Sequence, residues 1–208
     1  MTDPASASTR SLAPEPVIER VIAMAQEIDR RECGTALHSQ VVARYAELTA
    51  RELELPEEVV EDVRLAGLLH DVGKSAVAEA IVSKPAALTE REWLAMRYHP
   101  ELGAALLDDA GLDDVREWIL CHHERPDGHG YPRGLVGEEI PLQARILAVA
   151  DSYEAMTNDR AYRRSIGRWR ARDELRRNAG TQFDEAVVDA FLRALERDWP
   201  AAGTRDAA

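Results

Sequence analysis

Imidazoles and carboxylates recur along this chain at the ends of apolar runs. His70 and Asp71 are adjacent after LAGLL, and His122 and His123 are adjacent after WIL. Asp151 follows ILAVA, so we expect its carboxylate to be buried or half-buried and to need a metal, an arginine or a helix cap as its partner. Nitrogen and oxygen ligands without thiolate suit Fe, Mn, Ni, Co or Zn and argue against a structural cysteine–zinc site.

Each of these motifs has a structural explanation when it is taken alone. HD at a helix end favours an exposed cap, and a single histidine such as His99, at a break between helices, is more often structural than a ligand. Their number changes the interpretation, because five imidazoles and two carboxylates are too many for one ion and suit two ions that share a carboxylate. The seven candidate ligands are His38, His70, Asp71, His99, His122, His123 and Asp151. Two-metal sites typically act on the attacking and leaving oxygens of a phosphoryl displacement.

Helical periodicity predicts the elements that position these residues. We predict helices that begin near Val17, His38, Pro56, Thr89, Pro100 and Asp113, and further helices over 141–157, 168–178 and 184–198. Thr89 and Glu92 have the spacing of a capping box, and Gly111 is expected to close the helix that Pro100 begins. The segments 83–89 and 125–139 are predicted loops. No alternating strand pattern is found, so the predicted fold is an all-α single domain.

Composition excludes several classes of protein. The 208 residues are 45% hydrophobic and 5% aromatic, which allows one core and favours helices over strands. The net charge of −12 and a pI near 5.0 argue against binding DNA or RNA through bulk electrostatics. No stretch approaches a membrane span, the N-terminus lacks a signal-peptide core, and two cysteines fit a reducing compartment, so a cytoplasmic location is expected. We predict a disordered tail over 1–16, one domain over 17–200 and a C-terminal tail over 201–208.

In this order, the motifs resemble those of the HD superfamily of metal-dependent phosphohydrolases and, more narrowly, the HD-GYP cyclic di-GMP phosphodiesterases. The resemblance runs from about Val17 to Leu195. It rests on His70-Asp71-Val72-Gly73-Lys74, His122-His123-Glu124, Asp127-Gly128-His129-Gly130-Tyr131-Pro132 and Ala150-Asp151-Ser152-Tyr153. It implies an HD-type helical bundle with a GYP loop, which here is the predicted loop 125–139 that contains Gly130-Tyr131-Pro132. It also makes the seven candidate ligands the metal shell.

The resemblance also implies roles for individual residues. Asp71 would bridge two divalent ions, iron or manganese, and Lys74 would face the scissile phosphate. Members with three metals carry a glutamate four residues before the first histidine, where this chain has Gly34, and Glu32 lies out of register. A two-metal centre is therefore expected. A hydroxide bridging the ions would attack phosphorus in line with the departing ribose oxygen to give pGpG, with further cleavage to GMP left open.

Other matched positions would contact the cyclic di-GMP substrate. The residues implied are Gly130, Tyr131, Pro132, Arg160 and Arg163, of which the three loop residues wall the substrate site and the arginines hold phosphates. His129 is expected to be an exposed loop side chain. Glu154 replaces the aspartate that is usual in the family.

Two alternatives stay open at this point. One is a cyclic dinucleotide-binding or partner-docking module with little turnover, against which the complete ligand set argues. The other is an HD hydrolase of another nucleotide, against which the GYP loop argues. No receiver or sensor domain is recognised, so regulation is expected from metal state, a separate regulatory protein or expression, unless the chain is a domain cut from a longer protein. A homodimer also stays open.

The arginines of the C-terminal half, the tryptophans and Cys121 are given structural explanations. Residues 160–177 hold eight arginines, and six of these are expected to belong to a solvated or partner-binding surface. Trp93, Trp118 and Trp169 are expected in the core or at an interface, and Cys121 is expected to be a small buried residue.

Overall fold

The computed structural model describes residues 15–33, 37–108, 110–159 and 164–198. Its α-helices are α1 (Glu15–Cys33), α2 (His38–Glu52), α3 (Glu57–Leu69), α4 (Glu79–Val82), α5 (Glu90–Met96), α6 (His99–Leu106), α7 (Asp113–Cys121), α8 (Leu142–Thr157), α9 (Arg168–Arg177) and α10 (Glu185–Asp198). Short 3₁₀ turns occupy Val72–Ala76 and Gly137–Glu139. The described ranges contain isolated β-bridges but no strand, so the predicted all-α fold is confirmed.

The core forms around α2, which packs against α3, α8 and α10. Tyr45, Tyr153 and Phe191 meet there edge to face, with ring centroids 5.0–5.7 Å apart. Such aromatic contacts add to the free energy that burial of the rings contributes. The packing fixes α2 beside α8, which places His38, at the start of α2, on the same side as Asp151 in the middle of α8.

Each predicted helix has a counterpart in the structure, whereas α4 and the two 3₁₀ turns were not predicted. The capping box is confirmed, because Glu92 N–H donates to Thr89 Oγ1 (3.4 Å) and Thr89 N–H donates to Glu92 Oε2 (2.7 Å). The helix that contains Pro100 ends at Leu106 and does not reach Gly111. The N–H of Leu107 instead bonds the Ala104 oxygen in a tighter turn, and the Leu107 side chain is buried.

The predicted N- and C-terminal tails stay untested. The first helix begins at Glu15, two positions before the predicted start, while residues 1–14 and 199–208, which contain most of the predicted tails, lie outside the described residues. The domain boundaries therefore stay a prediction. None of the described helices combines the length and the apolar character that a membrane crossing requires.

A glycine lets the turn after Asp71 lie against α6. A Cβ atom at Gly73 would be 1.9 Å from the His99 carbonyl oxygen and 2.4 Å from the Gly103 nitrogen. Both are backbone atoms that cannot rotate away, so only glycine permits this approach. The close contact brings the chain next to Asp71 up to the start of α6, where His99 lies.

We expect Gly73→Ala to destabilise the protein by about 1–3 kcal/mol, the usual cost of forcing an extra carbon into a packed region. Urea unfolding of the metal-free protein measures this. Ser75→Ala is the matched control, because Ser75 is exposed in the same 3₁₀ turn, and it should change the free energy of unfolding by no more than about 0.5 kcal/mol. Equal stability of Gly73→Ala and the wild type would contradict the close approach.

Candidate metal centre and substrate pocket

The seven candidate ligands converge in the interior from five helices. His38 begins α2, His70 and Asp71 follow α3, His99 begins α6, His122 and His123 follow α7, and Asp151 lies within α8. Four of the histidines are no more than 2% exposed, and Asp151 is half-buried as predicted. Residues far apart in sequence thus form one polar cluster inside an apolar bundle.

Hydrogen bonds at Nδ1 set the orientation of four imidazoles. His70, His99 and His122 each place Nδ1 2.6–2.9 Å from the backbone oxygen of the residue three positions earlier. His38 places Nδ1 2.6 Å from Glu154 Oε2. A carbonyl or carboxylate oxygen accepts only, so Nδ1 carries a proton and Nε2 is directed into the cluster.

The first group of ligand atoms surrounds Asp71 Oδ2. His38 Nε2 is 3.5 Å and His70 Nε2 is 3.2 Å from this oxygen, and Asp151 Oδ1 is 3.5 Å from His38 Nε2. Ligand atoms at about 2.0–2.2 Å from one ion lie about 3–4 Å from one another, as these do. Both Nε2 atoms are buried without a hydrogen-bond partner in the described part of the chain, which suits nitrogens that bind a cation.

The second group surrounds Asp71 Oδ1. His99 Nε2 is 3.3 Å from this oxygen and 3.4 Å from His122 Nε2, and His123 completes the group within 4.8 Å. Burial lowers the pKa of His99 to about 4 and, with the neighbouring histidines, the pKa of His122 to about 3. These imidazoles are therefore neutral near pH 7, the form that binds metal.

Asp71 presents one carboxylate oxygen to each group. Its burial acts to raise its pKa, but His70, Lys74 and His38 outweigh that effect, and the net pKa lies well below the usual value. For His38, burial acts to lower the pKa, while Asp71, Glu154 and Asp151 raise it to about 10. A cation entering the first group must therefore displace a proton from His38.

Lys74 and Glu32 extend the charged cluster to α1. Lys74 Nζ donates to Asp71 Oδ2 at 2.8 Å and to Glu32 Oε2 at 2.6 Å. Burial acts to lower the pKa of Lys74, but Asp71 and Glu32 raise it further, so the ammonium stays charged. The sequence offered no signal for Glu32 beyond its closeness to the expected register. Gly34 lies outside the described residues.

Glu124 holds the GYP loop in place, a role that its sequence context does not predict. Its buried carboxylate accepts the backbone N–H groups of Arg133 (2.6 Å), Gly134 (3.2 Å) and Leu135 (3.0 Å). The loop also needs Gly130, because a Cβ there would be 2.4 Å from the Arg125 nitrogen. The only signal in the sequence was the position of Glu124 directly after the paired histidines.

A cavity of about 430 Å³ opens beside the second group. Its walls include His122, His123, Gly130, Tyr131, Asp151, Trp93 and Arg97. The Tyr131 ring stacks on His123 with centroids 4.8 Å apart and an interplanar angle of 28°. The volume falls within the range of small-molecule sites.

The remaining residues singled out in the sequence do not all line the larger cavity. Pro132 lines a smaller cavity of about 160 Å³ that adjoins Tyr131. His129 has an exposed side chain, as expected, although it also borders the larger cavity. Arg160 and Arg163 lie outside the described residues.

The tryptophans and Cys121 divide between core and surface. Trp118 and Cys121 are buried as expected, and burial raises the pKa of the Cys121 thiol to about 12. Trp93 and Trp169 are 48% and 77% exposed and do not belong to the core.

Comparison with known proteins gives consistent matches. The HD domain family model matches residues 16–187. The chain is 44% identical over 165 residues to cyclic di-GMP phosphodiesterase PA4108 of Pseudomonas aeruginosa, covering 77% of this chain and 39% of that protein. It is 40% identical over 178 residues to the cyclic di-GMP phosphodiesterase response regulator RpfG of Xanthomonas campestris, covering 84% and 47%. It is 37% identical over 186 residues to 3′3′-cGAMP-specific phosphodiesterase 1 of Vibrio cholerae, covering 88% and 43%. The chain thus spans less than half the length of these relatives.

Solved structures share the fold. Bd1817, an HD-GYP-type protein of Bdellovibrio bacteriovorus, superposes with a TM-score of 0.64 at 17% identity, covering 86% of this chain and 60% of that one. The cyclic GMP-AMP phosphodiesterase V-cGAP3 of V. cholerae gives a TM-score of 0.62 at 19% identity, covering 86% and 49%.

We expect Glu124→Ala to loosen the GYP loop, because three backbone N–H groups lose their buried acceptor. A hydrogen bond to a charged group contributes about 1.5–3 kcal/mol, so the free energy of unfolding should fall by at least this amount. Tryptic cleavage after Arg133 should become faster. Glu138→Ala, an exposed change in the same loop, is the control and should alter neither measurement. Unchanged cleavage in Glu124→Ala would contradict the anchoring role.

Proposed function

Because this chain belongs to the HD domain family, we propose that it is a metal-dependent phosphodiesterase that hydrolyses cyclic di-GMP. The observation that carries the proposal is the pair of ligand groups that share Asp71, one on each carboxylate oxygen. The cavity beside them and the relatives named as cyclic di-GMP phosphodiesterases support the choice of substrate. Cleavage of one phosphodiester would open the ring to pGpG, and a second cleavage would give GMP.

The donor set fits two divalent ions. We propose that His38, His70 and Asp151 would hold one ion and that His99, His122 and His123 would hold the other, with Asp71 as a ligand common to both groups. Iron or manganese suits these nitrogen and oxygen ligands. Such ions supply a water nucleophile that is active near neutral pH, and positive charge that stabilises the phosphoryl transition state.

The protein's own residues orient the ligands and balance charge. Glu154 holds the His38 ring by a 2.6 Å hydrogen bond, an outer contact of the kind that orients metal-binding histidines. Lys74 remains a cation next to Asp71 and would offset negative charge that develops on the scissile phosphate.

Substrate contacts are assigned to the GYP loop and to the arginine-rich segment 160–177. Gly130 and Tyr131 wall the cavity, with Pro132 on the adjoining surface. Arg160 and Arg163 would hold phosphates through their planar guanidinium groups. Glu124 holds the next three residues of the loop, Arg133, Gly134 and Leu135, so the loop can orient the substrate without a large rearrangement.

A related cyclic dinucleotide is the second candidate substrate. The 37% identity to a 3′3′-cGAMP-specific phosphodiesterase favours this alternative over other nucleotides. A binding module with little turnover fits less well, because all seven candidate ligands are present and converge.

The proposed setting follows from charge and thiol chemistry. We propose a cytoplasmic protein, since Cys121 is a free buried thiol. With a net charge of −12 it should not bind DNA or RNA. A homodimer or a separate regulatory protein stays a prediction.

We expect Asp71→Ala to abolish hydrolysis and to lower metal content, because it removes a ligand common to both groups. The test is a time course on protein purified without oxygen and supplied with ferrous or manganous ion and cyclic di-GMP. Chromatography resolves cyclic di-GMP, pGpG and GMP. Asp189→Ala, an exposed aspartate on α10, is the control and should keep full activity. Wild-type turnover in Asp71→Ala would refute the proposed centre.

We also expect the two ligand groups to bind ions separately. His38→Ala and His99→Ala should each reduce metal content from about two ions to about one per chain, because each removes a ligand from one group only. Elemental analysis of reconstituted protein measures this. His129→Ala replaces an exposed imidazole and should retain both ions. A single ion in the wild type would exclude the two-metal arrangement.

A further inference from the structure

Trp93 of the short helix α5 and Arg97, which directly follows that helix, line the cavity. The two residues are four positions apart, so they lie on the same face of the helix. The helix start is held firmly, because Glu92 Oε2 accepts both the Thr89 N–H (2.7 Å) and Lys84 Nζ (2.6 Å). Both side chains line the cavity together with His123 and Tyr131.

Arg97 is held by an aromatic ring. Its Cζ lies 4.6 Å from the Tyr131 ring centroid, and the side chain is half-buried. Across the part of the chain that the structure describes, no carboxylate comes within ion-pair distance of its guanidinium. By contrast Arg125, on the same cavity, donates to both oxygens of Asp127 at 3.0 and 2.5 Å. Because Arg97 lines the cavity and has no carboxylate partner among the described residues, its N–H groups are available to a ligand there.

Trp93 adds a flat apolar surface at the rim. Its ring is 48% exposed and lies 6.5 Å from the Tyr131 centroid at an interplanar angle of 78°. Tyr131 stacks on His123 with its centroid 4.8 Å away. Tyr131 therefore lies between His123, which belongs to the second ligand group, and the pair formed by Trp93 and Arg97. A base attached to a nucleotide whose phosphate lies at the ligand groups would extend in this direction.

We propose that Trp93 and Arg97 form a guanine-recognition site, an inference that rests on the proposed function. Trp93 covers one face of the base, and base–aromatic stacking is favourable for any base. Arg97 donates two hydrogen bonds to O6 and N7 of guanine, the usual bidentate match. Adenine presents an amino donor where guanine presents O6, so this contact selects guanine. An indole beside a guanidinium suits a planar base better than a phosphate.

Steady-state kinetics with cyclic di-GMP, 3′3′-cGAMP and cyclic di-AMP test the proposal. Arg97→Ala should raise KM for cyclic di-GMP by on the order of tenfold or more, with a smaller effect on kcat, and should remove the preference for guanine over adenine. Arg97→Lys keeps the charge but lacks the bidentate fork, so it should lose the same preference. Arg91→Ala, an exposed change on α5, is the control. Hydrolysis of bis(4-nitrophenyl) phosphate, which has no guanine, should be unchanged in Arg91→Ala and should fall much less than hydrolysis of cyclic di-GMP in the Arg97 variants.

Other results would overturn the inference. Unchanged kinetics in Arg97→Ala would do so. An equal rise in KM for cyclic di-GMP and cyclic di-AMP would also do so, because it would indicate a phosphate contact. Loss of bis(4-nitrophenyl) phosphate turnover would mean that Arg97 acts through the metal centre.

A binding measurement separates this inference from the proposed function. A wild type that hydrolyses no cyclic dinucleotide would overturn the function, and tryptophan fluorescence would then decide the inference. Quenching by cyclic di-GMP that is lost in Trp93→Phe and weakened in Arg97→Ala supports it. No binding, or equal binding of cyclic di-AMP, overturns it.

Discussion

Hydrogen bonds from imidazole Nδ1 atoms determine the direction of the ligand nitrogens, and the rest of the site depends on them. The last carbonyl groups of a helix lack partners within the helix. His70 and His122, directly after α3 and α7, bond such carbonyls three residues back, and His99 bonds the oxygen of the last residue of α5. The bond that satisfies the helix end therefore also orients the ligand. Placing histidines at helix ends gives each ring a fixed direction without further polar groups.

The buried charges of Asp71 and Lys74 are balanced in part by a residue outside the sequence motifs, Glu32 of α1. Asp71 lies among histidines and Lys74, and Lys74 in turn bonds Glu32 of α1. Asp29 also ties α1 to the start of α2, because its carboxylate accepts the Ser39 N–H (2.8 Å) and hydroxyl (3.0 Å). The first helix therefore takes part in the electrostatics of the centre, and its position affects both Lys74 and the helix that begins with His38.

The GYP loop lies between the candidate metal centre and the proposed base site. Glu124 and the close packing at Gly130 hold the loop, which places Tyr131 with one ring face on His123. The same ring supports Arg97. The candidate metal centre and the proposed base site thus lie on two sides of one aromatic residue. A rigid loop suits this arrangement, since a displaced ring would disturb both.

The sequence by itself determined the helical class, the Thr89–Glu92 capping box and the set of seven candidate ligands. These depend on local spacing and on side-chain chemistry, which a sequence displays directly. Only the tertiary structure decided which ligand atoms share a group, and that the carboxylate bonded to His38 Nδ1 comes from Glu154, 116 positions away. It also placed Glu32 against Lys74. Such pairings depend on how distant helices pack and on the rotamers that packing allows, and neither is encoded in local periodicity.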